Sequence, residues 1–170
     1  VREAQREMIS ENAYVHKQPE KIIWDLQDGV HLTGEGFGEH GLRCARKIYD
    51  VLGETVSGGV DGPAITNVSR ASTTVTVTIT HDGGSDIAAP AGSDYEGFKF
   101  LDDGVVIPIT AAVRTNATTI TLTLDSAPSG VEEFYYVYAT IYESGTTDPD
   151  NLVRDNDSIP MPLQSYYEVL

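Results

Sequence analysis

Ser72-Thr-Thr-Val-Thr-Val-Thr-Ile-Thr80 is the stretch that decides the fold of most of this chain. Val75, Val77 and Ile79 alternate with threonines, the period of two that a strand shows when one face lies in a core and the other in water. Ala117-Thr-Thr-Ile-Thr-Leu-Thr-Leu124 repeats the pattern with Ile120, Leu122 and Leu124, and Glu133-Phe-Tyr-Tyr-Val-Tyr-Ala-Thr-Ile-Tyr142 reads as a third long strand. Shorter strands fit at 65–69, 97–101, 105–109 and 158–162. Asp102-Asp103-Gly104 is a hairpin turn by composition.

Strands this short, broken by Asp-Gly, Gly-Gly and Ala-Pro turns, predict an antiparallel β-sandwich of immunoglobulin or fibronectin type over residues 64–170. The similarity of the two threonine-alternating strands reads as one strand from each of its two sheets rather than as a true sequence repeat. Residues 54–63, rich in Gly, Ser and Pro, read as a linker.

Upstream the period changes. Phe37, Gly41, Cys44, Ala45, Ile48 and Leu52 recur every three or four residues, so a helix from about Gly34 to Leu52 is expected to pack one apolar stripe on a sheet. Thr33 is the expected N-cap and Gly53 the stop. Cys44 reads as a small buried residue, and a lone cysteine rules out a disulfide within the chain. Val1 to Asn12 has near-helical spacing, and Ile22-Ile23-Trp24 is an apolar run leading towards Asp25 and Asp28.

Asp28-Gly-Val-His31-Leu-Thr33 places an acid and an imidazole three positions apart on a Gly-containing turn in front of that helix. A carboxylate that holds one ring nitrogen fixes the tautomer and favours the imidazolium, leaving the other nitrogen to take a proton from a serine. The plainer reading is an Asx-type turn carrying a surface histidine.

The block, followed by Gly34-Glu-Gly36 and an amphipathic helix, resembles the last conserved block of the SGNH (GDSL-type) esterases over residues 1–53. The resemblance implies that Asp28 and His31 are catalytic and that residues 1–53 are the C-terminal end of a flavodoxin-like α/β domain, giving an α+β chain overall. The family's Gly-Asp-Ser nucleophile, oxyanion Gly block and Gly-x-Asn do not occur here, so the chain alone is expected to be inactive. A chain that starts at Val1, without methionine or a signal-like run, is expected to be truncated or processed.

Across 170 residues the formal charge is −15, which argues against nucleic acid and favours a neutral glycan or a basic protein patch. No apolar run is long enough to span a bilayer. Neither a cofactor nor a metal is expected. His16 and His40 lack zinc spacing, and Asp148, Asp150, Asp155 and Asp157 read as a solvated acidic loop or, less simply, a calcium loop. Tyr136, Tyr138 and Tyr142 share one strand face and could stack sugar rings, or else fill the core.

Two functions follow. In one, the parent protein is an esterase removing acetyl or similar groups from a polysaccharide, with a serine upstream of Val1 and the missing part of the catalytic domain as partner. In the other, the sandwich is a glycan-binding or structural module of a phage tail or particle surface, as a homo-oligomer or in a larger assembly. An extracellular or particle-associated setting suits either.

Overall fold

The computed structural model describes residues 33–137 and 149–170. Among them are one α-helix, a single 3-10 turn (Pro149–Asn151) and eight strands, the strands forming two four-stranded antiparallel sheets. The first sheet is built from β1 (Ala64–Ala71), β2 (Thr74–Thr80), β5 (Ile109–Asn116) and β6 (Thr119–Leu124), in the order β1-β2-β6-β5. The second holds β3 (Phe98–Asp102), β4 (Val105–Ile107), β7 (Glu132–Tyr136) and β8 (Tyr166–Val169), in the order β4-β3-β7-β8.

The threonine strands are side by side in one sheet, not in two as the sequence suggested. Val75 faces Leu122 and Val77 faces Ile120, while Thr74, Thr76 and Thr78 face Thr123, Thr121 and Thr119. One register thus sorts every apolar side chain inward and every threonine outward, because side chains alternate strictly along a strand. A bulge between Ile65 and Asn67 shifts the phase of β1, so that Ile65 and Val68 both reach the core despite their odd spacing.

Across the core stand Phe100, Phe134 and Tyr136, fully buried with Ile120, Leu122 and Val75 in one cluster. Each such side chain contributes about 1.5–3 kcal/mol by burial. Glu132 points inward too, and its carboxylate takes a two-pronged contact from Arg70 of β1, joining the sheets at their rim.

Several boundaries differ from the sequence reading. The expected strand 105–109 is split at Pro108, which cannot donate to a ladder, so β4 stays in the second sheet while β5 starts afresh in the first. The last strand is Tyr166–Val169 and not 158–162, where a single bridge joins Arg154 and Pro162. The tyrosine strand β7 ends at Tyr136, and Val137 takes a positive φ of 40°. The turn at Asp103 and Gly104 is the expected hairpin, both residues having positive φ.

Helix α1 (Gly34–Val51) begins and ends where its capping residues require. Thr33 Oγ1 accepts from the Gly36 amide at 3.1 Å. Gly53, at φ 78°, turns the chain so that its N–H reaches Asp50 and that of Glu54 reaches Tyr49, the paired bonds of a Schellman stop. No helix among the described residues is long and apolar enough to cross a membrane.

Helix α1 does not lay its apolar stripe on either of the two described sheets. Phe37, Ile48 and Leu52 of the apolar stripe are 61%, 58% and 70% exposed, and the opposite, charged face is the one held against the sheets' loops. Cys44 is half-buried and lies 3.6 Å from the His40 ring.

Candidate functional site

Asp28 and His31 lie outside the described residues, as do His16, Tyr138, Tyr142 and Asp148. What the structure gives of their surroundings starts at Thr33. The cap Thr33, two positions after His31 in the chain, fixes where α1 begins, and the charged face of α1 fixes where the helix stands on the two-sheet body.

That attachment is polar. Arg43 is 1% exposed, donates through Nη2 to the Pro160 carbonyl at 2.5 Å and lies 3.5 Å from Glu39 one turn earlier. Burial pulls its pKa down to about 10, with Glu39 and Asp155 acting the other way. Arg46 donates to Asp157 Oδ2 at 2.9 Å, to the Gly59 carbonyl at 3.1 Å and to Ser158 Oγ at 3.2 Å. Lys47 reaches Asp61 at 2.9 Å.

Residues 54–63 form neither helix nor strand and are anchored. Asp82 Oδ2 accepts from the amides of Val60, Asp61 and Gly62, and Asp157 Oδ2 accepts from that of Gly59. Gly59 and Gly83 meet backbone to backbone; a Cβ on Gly59 would overlap the Asp82 carbonyl and one on Gly83 the Gly59 amide. Burial opposes ionisation of Asp157 more than any other single influence, yet the Gly59 amide, Arg46 and Ser158 together outweigh it and bring the carboxyl to about 2.

The acidic loop divides its carboxylates among separate tasks. Asp155 is buried, and Oδ1 accepts from the Met161 and Asp157 amides while burial raises its pKa. Asp157 serves Arg46, and Asp150 pairs with Arg154 at 3.5 Å. Among the described residues no group of three or more His, Cys, Asp or Glu is placed to hold a metal ion.

Tyr136 belongs to the core, not to a glycan platform. It is fully buried, its hydroxyl accepts from the Val153 amide at 2.9 Å, and its ring lies 4.8 Å from that of Phe98. The residue on the outer face is Tyr135, whose ring centroid is 4.8 Å from that of Tyr167 on β8. The sequence does not single out Tyr167: it places the final strand at 158–162, and Tyr-Tyr-Glu-Val at 166–169 does not alternate apolar with polar.

An open groove of about 410 Å³ runs between β5 and the approach to β3, lined by Asp94, Tyr95, Glu96, Phe98, Ile109 and Ala112. Its acids are engaged: Asp94 accepts from the Ala112 amide and from Ser93, which hold its carboxyl below the usual range, and Glu96 accepts from Asn151. The groove thus brings together none of the sequence's candidate residues.

No family model and no curated protein matches the sequence. Among solved structures, a carbohydrate acetylesterase from Xanthomonas citri is similar with a TM-score of 0.59 at 19% identity, covering 86% of this chain and 30% of that one. An S-layer protein is similar at a TM-score of 0.41 and 13% identity, over 81% of this chain and 16% of that one, a likeness too slight to bear on the fold. The chain spans less than a third of the acetylesterase's length, and the likeness is one of fold.

Proposed function

We propose that this chain is the C-terminal portion of an SGNH-like serine esterase acting on acylated, most simply acetylated, polysaccharide, with an accessory immunoglobulin-like sandwich. The observation that carries the reading is Asp28-Gly-Val-His31-Leu-Thr33 running directly into a capped helix. The strand order β1-β2-β6-β5 against β4-β3-β7-β8 supports an immunoglobulin-type sandwich with one added edge strand, and the fold is similar to part of a carbohydrate acetylesterase.

The apolar face of α1 adds a second support. Six large apolar side chains of α1 and its C-cap, Phe37, Leu42, Ile48, Tyr49, Val51 and Leu52, are exposed. A helix normally turns such a stripe to the interior. In the parent protein the remainder of the α/β domain would cover it, and Arg43, Arg46 and Lys47 would hold the helix to the sandwich from behind.

In this reading Asp28 orients the His31 ring. A serine from the rest of the catalytic domain attacks the acyl carbonyl while its proton passes to His31. That proton then goes to the sugar oxygen as the bond from the acyl carbon to that oxygen breaks, leaving an acyl-serine. Water, deprotonated by His31, then attacks the acyl carbon; the bond from that carbon to the serine oxygen breaks, His31 returns the proton to the serine oxygen, and the carboxylic acid leaves. In the parent protein His31→Ala should lower acetate release from acetylated polysaccharide, and p-nitrophenyl acetate turnover, by up to about 10⁶-fold. Turnover equal to wild type would end the assignment.

A further inference from the structure

The two outer faces of the sandwich differ in chemistry. That of the first sheet is a ladder of threonines. On the second, the registers bring Lys99, Tyr135 and Tyr167 into one row across β3, β7 and β8, and Val106, Leu101, Glu133 and Val169 into the next row across all four strands. Leu101 is buried yet stands outside the cluster that fills the core, so this face carries a small apolar floor of its own.

The tyrosines are held in place. Glu133 accepts from the Tyr135 hydroxyl at 2.5 Å and from that of Tyr167 at 3.3 Å, and the hydrogen bond from Tyr135 to this acid keeps the Tyr135 phenol protonated far above its ordinary range. Both rings are therefore oriented by one carboxylate, at 37° to one another, with Tyr167 40% exposed.

We propose that the outer face of β3, β7 and β8 binds an uncharged polysaccharide, the Tyr167 and Tyr135 rings stacking on the apolar face of a sugar while Glu133 and Lys99 take its hydroxyls. Charge selects this occupant: the rows carry one acid and one base within a chain of formal charge −15, which disfavours a polyanion. Size does the same. Val106, Tyr167 and Val169 are its strongly exposed apolar side chains, far short of the roughly 20–30 residues a side of a stable protein interface and suited to one or two sugar rings. The choice of polysaccharide rests on the function proposed above, but binding needs neither His31 nor the missing serine, so the two can fail separately.

The test is affinity electrophoresis of the 170-residue chain through gels holding acetylated xylan, deacetylated xylan, glucomannan or polygalacturonate, with amide shifts of the wild-type chain followed by NMR as one neutral polymer is added. Retardation by at least one neutral polymer and not by polygalacturonate is expected, weakened about tenfold or more by Tyr167→Ala and largely kept by Tyr167→Phe. Thr121→Ala, on the opposite face, should change nothing. The shifts should centre on residues 99, 133, 135 and 167, which settles the matter even if a variant misfolds. The proposal is overturned by no neutral polymer binding, by shifts centred elsewhere, by Tyr167→Ala binding as wild type, or by a wild-type dimer that Tyr167→Ala dissolves.

Discussion

At the scale of single residues, charge at the helix attachment makes the sharpest forecast. Asp157 has a folded pKa of about 2, below its unfolded value of about 3.9, so the stabilisation it supplies is complete above that unfolded value and is lost as pH falls through about 2. Asp157→Asn should therefore cost about 2 kcal/mol at pH 7, and the gap to wild type in urea midpoints should close between about pH 4 and pH 2. An unchanged gap at pH 2 would show that Asp157 acts by shape and not by charge. In the core, Phe134→Ala should remove about 3–5 kcal/mol, read from the same midpoints, because Phe134 is fully buried against Phe98 and Tyr166. Composition could not separate Tyr135 from Tyr136. Which of two neighbouring tyrosines faces inward depends on the phase of β7, and that phase is set by pairing to β3 and β8 at a distance in sequence.

Elements were legible in proportion to how much of their structure is local. Helix α1 was readable because Thr33 and Gly53 cap it within a few residues, and Thr33→Ala should cost about 1 kcal/mol. Strands β2 and β6 announced themselves by strict alternation. By contrast β5 was missed, since two register shifts and Ala-Ala-Val-Arg-Thr-Asn blur its period, and nothing in the sequence says that Pro108 sends the chain across to the other sheet. The apolar stripe of α1 is legible, but periodicity identifies a face and not what lies against it, and neither of the two described sheets does. A direct check is Ile48→Glu, which should alter the stability of the 170-residue chain by no more than about 0.5 kcal/mol, since Ile48 is exposed. In the parent protein the same change should destabilise by about 2 kcal/mol or more, because a charge would enter a buried helix face. Equal effects in both settings would mean that nothing covers the stripe.

For the whole molecule, the organising feature is a helix gripped from one side. Arg43, Arg46 and Lys47 bind α1 to loops carried by the two sheets, while its apolar side and the Asp28-Gly-Val-His31 block belong, in our reading, to a catalytic domain that continues beyond this sequence. The sandwich would then be fixed relative to the catalytic turn, and its tyrosine-bearing face would hold a polysaccharide at a set distance and angle from it. The candidate site was legible only as a motif, because an acid and an imidazole three residues apart need a nucleophile that no spacing within these residues supplies. Treatment of the parent protein with a fluorophosphonate, followed by peptide mass spectrometry, shows whether His31 activates a serine. A single phosphonylated serine, labelled in wild type and lost in His31→Ala, is the predicted result; no labelled serine, or labelling that His31→Ala leaves untouched, would contradict it.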